Sequence, residues 1–524
     1  MRTIGIGLLL ATAIPVAAQG RTVAVEERSI GDLQALVTAK RATSVDLVAA
    51  YLKRIAALDR KGPTLRSIIA INPDAMAQAR QLDAERTAGH VRGPLHGIPV
   101  LIKDNIETAD PIATTAGSLA LRDNVTRRDA PVVAALRAQG AVILGKTNLS
   151  EWANIRSSHA MSGWSAVGGL VRNPYALDRT ACGSSSGSGA AVAASFAAAA
   201  VGTETDGSVV CPSSINGLVG LKPSIGLVSR THVVPISHGQ DTPGPMARSV
   251  RDVATMFSAM VAADPGDPAT AGAVTRDYAA GLSTSALSGM KIGVIRPEMT
   301  ADLAARYDAA LAVLRAAGAV LVEVERPKLE GLGEAEFTVL KTELKADLNT
   351  YLATTPAAVK TRTLDDVIAF NKANAASEMP YFAQETFDDA AKTKGLDDPA
   401  YKAARAKSLR LAGAEGIDAM LRTAGAQLLV EPTYGGAWLS DPVYGDQYGG
   451  PSSSELPAIA GYPNLTVPMG QVDGLPVGLS FIATRNAEAT VLGAGYAYEQ
   501  RAHARVAPRY LPAADAGPGL EGVR

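Results

Sequence analysis

Two serine-bearing glycine turns, separated by a single run of small apolar residues, constrain this chain more than any other feature. The first turn is Cys182-Gly-Ser-Ser-Ser-Gly-Ser-Gly-Ala190 and the second is Gly202-Thr-Glu-Thr-Asp-Gly-Ser208. A Gly/Ser run alone reads as a flexible linker. A linker does not continue into Ala-Val-Ala-Ala-Ser-Phe-Ala-Ala-Ala-Ala, as residues 191–200 do. That run reads as a buried helix of small residues that lets neighbouring backbones approach closely. One packed helix would hold both turns, and the chemistry is expected there. Upstream, Ile98 to Ile102 is a short apolar run ending in Lys103, as a buried strand ends at the edge of a site. Strand alternation sends Asp104, the nearest rival for a salt bridge with Lys103, to the opposite side.

Taken together, Gly93-Pro-Leu-His-Gly-Ile-Pro-Val-Leu-Ile-Lys103 and the two turns resemble the amidase signature family of serine hydrolases. Further segments carry the likeness: Thr114-Thr-Ala-Gly-Ser118, Gly140-Ala-Val-Ile-Leu-Gly-Lys-Thr-Asn148, Gly220-Leu-Lys-Pro223, Gly244-Pro-Met246, Gly461-Tyr-Pro-Asn-Leu-Thr-Val-Pro-Met469 and Gly474-Leu-Pro-Val-Gly478. The resemblance implies an α/β fold, a mixed central sheet covered by helices on both faces. It implies a catalytic Ser-Ser-Lys triad of Lys103, Ser184 and Ser208, with Ser208 as nucleophile and Lys103 as base. Ser184, preceded by a cis peptide, would relay the proton between them. Backbone N–H groups of Thr205, Asp206, Gly207 and Ser208 would form the oxyanion hole. The implied activity is hydrolysis of a carboxylic amide through an acyl-enzyme, with no cofactor and no metal. For Lys103 to act as base it must be neutral, which burial without a paired carboxylate achieves.

Two departures from the family pattern matter. Asp206-Gly-Ser-Val-Val210 stands where Gly-Gly-Ser-Ile-Arg is usual, and Ser-Ser-Ser-Gly stands where Ser-Ser-Gly-Gly is usual. Both leave the triad intact, and Asp206 with the missing arginine changes charge beside it; Cys-Gly-Ser-Ser-Ser-Gly-Ser-Gly together with Thr-Glu-Thr-Asp-Gly-Ser resembles the branch that contains bacterial peptide amidases. An acidic Asp206 and a missing arginine would repel a free substrate carboxylate and accept a neutral carboxamide.

Other readings compete. Gly183-Ser-Ser-Ser-Gly187 also fits a nucleophile elbow with Ser185 as nucleophile and His232, His238 or His503 as partner. An elbow should follow an apolar strand, whereas Asn173 to Ala181 is loop-like. Ester, aryl-amide or carbamate hydrolysis on the same fold stays open, as does a binding protein that has lost catalysis. The tRNA-dependent amidotransferase subunit is a rival inside the fold. The histidines form no metal-ligand spacing.

The chain has 524 residues, 47% of them apolar, enough for a large core. Its 50 basic and 51 acidic residues give no basic stripe, so no nucleic-acid partner is expected; the expected partner is a small-molecule or peptide amide. Residues 1–18 read as a signal peptide, with one arginine, an apolar stretch from Ile4 to Ile14 and small residues up to Ala18. An exported, secreted or periplasmic enzyme without a membrane contact would follow. The remainder, 19–524, is expected to be one amidase domain, with a core over about 90–260, a variable region over about 265–450 and a return to the core over about 455–505. Residues 300–425 read mainly helical, and Ser44 reads as a helix cap. Tyr434, Trp438, Tyr444 and Tyr448 cluster in a chain only 5% aromatic, so that loop either lines the substrate or packs on the core. Cys182 and Cys211 are read as small buried thiols, with a disulfide as the alternative.

Overall fold

The computed structural model describes residues 23–514. Its chain forms strands β1 (Ile68–Ile71), β2 (Pro99–Lys103), β3 (Val142–Thr147), β4 (Trp164–Ser165), β5 (Gly169–Leu170), β6 (Ala199–Glu204) and β7 (Val219–Lys222). There follow β8 (Thr242–Ala247), β9 (Lys291–Val294), β10 (Val320–Glu323), β11 (Leu428–Pro432), β12 (Asn464–Val472) and β13 (Leu475–Ile482). Apart from the β4–β5 pair, they make one 11-stranded sheet in the order β1-β3-β2-β6-β8-β7-β12-β13-β11-β9-β10. The sheet is mixed: β3, β2 and β6 are mutually parallel, whereas β6 with β8 and β12 with β13 are antiparallel.

Every residue of β2, β3, β6, β7, β8 and β13 is buried. Side chains alternate between faces along a strand, so a strand buried at every position is covered on both sides. The cover is helical, for example Ser186–Ala193 against β2, β3, β6 and β8, and Glu488–Ala502 against β12 and β13. This is the expected fold class.

Local signals place most elements. The helix Pro131–Ala138 starts on a proline, which loses no needed N–H there, and stops before Gly140 at φ 86° ahead of β3. The same junction recurs between Ala301–Ala316 and β10, through Gly318 at φ 92°. Two expectations are corrected. The segment 191–200 is not one helix: the helix ends at Ala193, Ser195 sits at φ 56°, and β6 begins at Ala199. Alanine is the best helix former, but intrinsic propensity is small per residue, and pairing with β2 and β8 overrides it. The cap before Ser44–Leu58 is Thr43, in a reciprocal capping box with Asp46, and not Ser44.

Candidate active site

Parallel pairing of β2 with β6 aligns Ile102 with Val201, so the C-terminal ends of both strands reach the same edge of the sheet. Lys103 closes β2 there and is wholly buried. Its Nζ lies 2.7 Å from Ser184 Oγ, 2.8 Å from Thr203 Oγ1 and 3.3 Å from the Thr203 carbonyl. Burial pulls the lysine down to about 7, against the opposing pull of Asp241 and Glu204. A neutral amine has two N–H donors and one lone pair, and two Thr203 oxygens can take the donors while the lone pair accepts the Ser184 hydroxyl. Asp104 is engaged elsewhere, 3.5 Å from Lys146 Nζ and hydrogen-bonded by the Thr115 amide at 3.1 Å.

Ser184 follows a cis Gly183–Ser184 peptide, as the family resemblance implied. The Ser185 amide donates to the Ser208 carbonyl at 3.3 Å, which holds the two serine turns side by side. A disulfide between Cys182 and Cys211 binds them covalently, with Cα atoms 6.0 Å apart. The reading of two small thiols is thereby corrected: each cysteine lies within three residues of a proposed catalytic serine, which pointed to their proximity but not to a bond.

The turn Thr205–Ser208 leaves β6 under tight control. Gly207 adopts φ 77°, and a Cβ on it would meet the Tyr434 hydroxyl at 2.5 Å, so only glycine fits. The Glu204 carboxylate accepts the Val209 and Val210 amides at 2.8 and 2.9 Å and braces the turn from below. Among the described residues, the Asp206 and Ser208 amides enter no hydrogen bond within the protein. They are therefore free to donate to a developing oxyanion. Ser208 is 8% exposed and faces a cavity of about 310 Å³.

The cavity is walled by Ala153, Asn154 and Ile155, by Ile236 and Leu340, and by Tyr434, Trp438 and Tyr448. The three aromatic rings pack together, with Tyr448 centred 5.4 Å from Tyr434 and 5.2 Å from Trp438. Trp438 Nε1 donates to Asp446 at 2.9 Å, and Asp446 also accepts the Ser162 hydroxyl at 2.6 Å. Three of the four expected aromatic residues thus line the cavity. Tyr444 does not: it is 71% exposed, turned outward by an Asp441 turn that accepts the Val443 and Tyr444 amides.

Asp206 also differs from expectation. It lines the cavity, but its Oδ1 is buried without a hydrogen-bond partner among the described residues. Burial pushes this carboxyl up to about 7, with the nearby Glu204 and Glu455 charges adding to it and Ser454 opposing. It is therefore no permanent negative charge at neutral pH. Val210, in the place of the family arginine, is buried in the helix Val210–Ile215.

Ser185 is wholly buried, donating to the Thr203 carbonyl at 3.1 Å and accepting the Thr203 amide at 3.2 Å. That makes it a clamp between turn and strand, and no histidine is among its partners. His238 instead sits with Asp347 at 2.9 Å and Glu343 at 3.5 Å, in a second surface depression. Sequence reasoning gave no role to Thr203 and Glu204, which lie inside the second turn itself, nor to Asn105, Asp241 and Asp446, whose contacts with Thr203, Thr205 and Ser162 join segments far apart in sequence.

Comparison with known proteins bears on this geometry. The Amidase family model matches residues 46–492. A probable amidase of Arabidopsis thaliana is 38% identical over 505 residues, covering 94% of this chain and 93% of that protein. A glutamyl-tRNA(Gln) amidotransferase component of Symbiobacterium thermophilum is 34% identical, with 90% and 96% covered. Among solved structures, native peptide amidase from Stenotrophomonas maltophilia is 51% identical at a TM-score of 0.88, covering 93% of this chain and 99% of that one. The peptide amidase PAM bound to the competitive inhibitor chymostatin is 51% identical at a TM-score of 0.89, with 92% and 99% covered.

The expected signal peptide and export are corrected here. Residues 1–18 lie outside the described residues, and the family match starts at residue 46. Nothing in these relatives, which include an amidotransferase component named for a tRNA, supports a leader or a secreted or periplasmic enzyme. The run from Ile4 to Ile14 stands as an apolar composition and carries no location.

Proposed function

The chain belongs to the amidase family and hydrolyses carboxylic amides, and from that premise we propose that it removes the C-terminal amide of short peptides through an acyl-enzyme on Ser208. The single observation that carries the catalytic assignment is the 2.7 Å contact between a buried Lys103 and Ser184, beside a Ser208 that opens on the cavity. In this reading neutral Lys103 takes the Ser184 proton while Ser184 takes that of Ser208. The Ser208 oxygen attacks the carbonyl carbon, and the resulting oxyanion is held by the free turn amides of Asp206 and Ser208. Collapse breaks the C–N bond, and the proton returns from Lys103 through Ser184 to the leaving nitrogen, so ammonia departs neutral. Water then repeats the sequence on the ester and releases the acid.

Three observations support peptide amides as substrates. The peptide amidases named above are 51% identical over nearly the whole chain, against 34% for the amidotransferase component. That difference now separates the two, since an export signal no longer does. The cavity offers about 310 Å³ with an aromatic wall, room for a bulky acyl part. Among the described residues no Lys, Arg or His lines it, so none of them pairs a free carboxylate there. A hydrolysis panel of amidated dipeptides, anilides, aliphatic amides and p-nitrophenyl esters tests the reading. Turnover led by esters or simple aliphatic amides would displace the peptide assignment.

A further inference from the structure

A second, much smaller cavity lies against the lysine's own partners. It measures about 10 Å³ and is lined by Asn105, Thr203, Thr205, Arg230 and Asp241, with Ala153 and Ile236 among its apolar neighbours. That volume matches a single water. The donors and acceptors around it do not balance by themselves. Thr203 Oγ1 accepts from Lys103 Nζ at 2.8 Å and from Asn105 Nδ2 at 2.9 Å, which fills both lone pairs and leaves its O–H to find an acceptor. Asn105 is 3% exposed, and its Oδ1 is buried with no partner among the described residues. An orphaned acceptor of this kind costs about 1–3 kcal/mol unless water satisfies it. Asp241 supplies a further acceptor. Its Oδ1 accepts the Thr205 hydroxyl at 2.6 Å, and its Oδ2 accepts the Ile236 and Ser237 amides at 2.8 and 2.9 Å.

We propose that Thr203, Asn105 and Asp241 bind one buried water, which extends the hydrogen-bond chain of Lys103 to a carboxylate that also anchors the first residue of the oxyanion turn. The water accepts the Thr203 O–H and donates to Asn105 Oδ1 and to Asp241, so the Thr203 hydroxyl hydrogen and the orphaned Asn105 oxygen both gain a partner. This fixes Thr203 Oγ1 as an acceptor toward Lys103 and reserves the lysine's lone pair for Ser184. Asn105 and Asp241 are then positioning residues: they act on the amide through Lys103 and through Thr205. The charged groups facing Lys103 are Asp241 and Glu204, and those facing Asp241 are Arg230, which shares the cavity, and Asp347.

The inference rests on Lys103 as the base, and its test separates the two. A high-resolution crystal structure of the wild-type protein should show one ordered water within hydrogen-bonding distance of Asn105 Oδ1 and Asp241. In Asn105→Leu that water should be absent, and kcat should fall roughly tenfold with KM nearly unchanged, as for loss of one hydrogen bond beside a reacting group. Asp241→Asn should keep the water and shift the acidic limb of the rate profile to lower pH, because one of the two negative neighbours of Lys103 is gone. A well-ordered cavity without water in the wild-type map overturns the proposal, as does Asn105→Leu with wild-type kcat. An active Lys103→Ala would instead overturn the reading of Lys103 as base, whatever the map shows.

Discussion

At the scale of single residues, the question is why a lysine should surrender its proton near neutral pH. Lys103 has no carboxylate in contact: Asp104 is held by Lys146 and Thr115, and Asp241 and Glu204 act only at a distance. Desolvation then dominates and the folded value falls to about 7. Lys103 works as a base when neutral, so kcat/KM should rise with pH through about 7 and flatten above it. Two pH units below, it should be down about a hundredfold. Asp206 titrates in the same region, and Asp206→Asn separates the two: the limb should persist in that variant and vanish with Lys103→Ala, whose kcat should drop by several orders of magnitude. A limb lost with Asp206→Asn would assign the titration to Asp206. Ser208→Ala should remove turnover and fluorophosphonate labelling together, whereas Ser185→Ala should stay active, since its hydroxyl is spent on Thr203. Lys103, Ser184 and Ser208 could be singled out in the sequence because the family resemblance rests on local motifs that contain them. Asn105 and Asp241 could not be: each becomes a neighbour of Thr203 or Thr205 only when β2, β6 and the loop before β8 come together.

At the scale of elements, the site is a pair of turns held by a strand, a short helix and a disulfide. The strand Pro99–Lys103 was readable from the apolar run Ile98 to Ile102, and the helix-glycine-strand junctions from Gly140 and Gly318. The alanine run was misread because composition does not tell a buried helix from a buried strand when both are made of small residues; pairing decides. Tyr444 was misread because an aromatic side chain in a loop can face either way, and an Asx turn at Asp441 decides here. Gly207→Ala should nearly abolish kcat while leaving overall folding intact, because φ 77° and the 2.5 Å approach to Tyr434 force the turn to shift. Circular dichroism beside the kinetics checks that the loss is local. The Cys182–Cys211 bridge closes a loop spanning 29 residues of sequence separation, and a chain-entropy estimate gives roughly 3–4 kcal/mol for such a loop. The double variant Cys182→Ala, Cys211→Ala should therefore unfold at lower denaturant, with a slope equal or steeper because the unfolded chain is no longer cross-linked. An unchanged midpoint would mean that packing alone holds the turns together.

At the scale of the whole molecule, the sheet delivers Lys103 and the nucleophile turn to one edge, and the peripheral regions build the walls. The helix Leu332–Ala353 supplies Leu340, the loop 434–448 supplies the aromatic face, and the segment after Glu151 supplies Ala153 to Ile155. That segment is held by a wholly buried Arg156, 3.0 Å from Glu151 and stacked 4.3 Å from the Phe382 ring. The cavity wall is thus built from elements far apart in sequence, so only its aromatic part, clustered within one loop, could be read from the sequence, and the parts from Leu340 and from Ala153 to Ile155 could not. The charge argument from sequence also changes: burial pushes the Asp206 carboxyl up to about 7, so discrimination rests on the lack of any cation in the wall among the described residues and on apolar contact. A neutral peptide amide would bury its C-terminal side chain against Tyr434, Trp438 and Tyr448, and each buried methylene contributes about 0.8 kcal/mol. Propionamide has almost nothing to place there. We therefore expect kcat/KM for an amidated dipeptide with a large C-terminal side chain to exceed that for propionamide by at least about a hundredfold, the equivalent of three to four methylenes. Trp438→Ala should erase most of that advantage and leave propionamide turnover nearly unchanged, since Trp438 meets only the larger acyl part. Extending the peptide by one residue beyond the scissile bond should slow cleavage, because the leaving side must then accommodate a chain in place of ammonia. Equal rates for propionamide and the dipeptide amide would show that the aromatic wall packs the loop and binds no substrate.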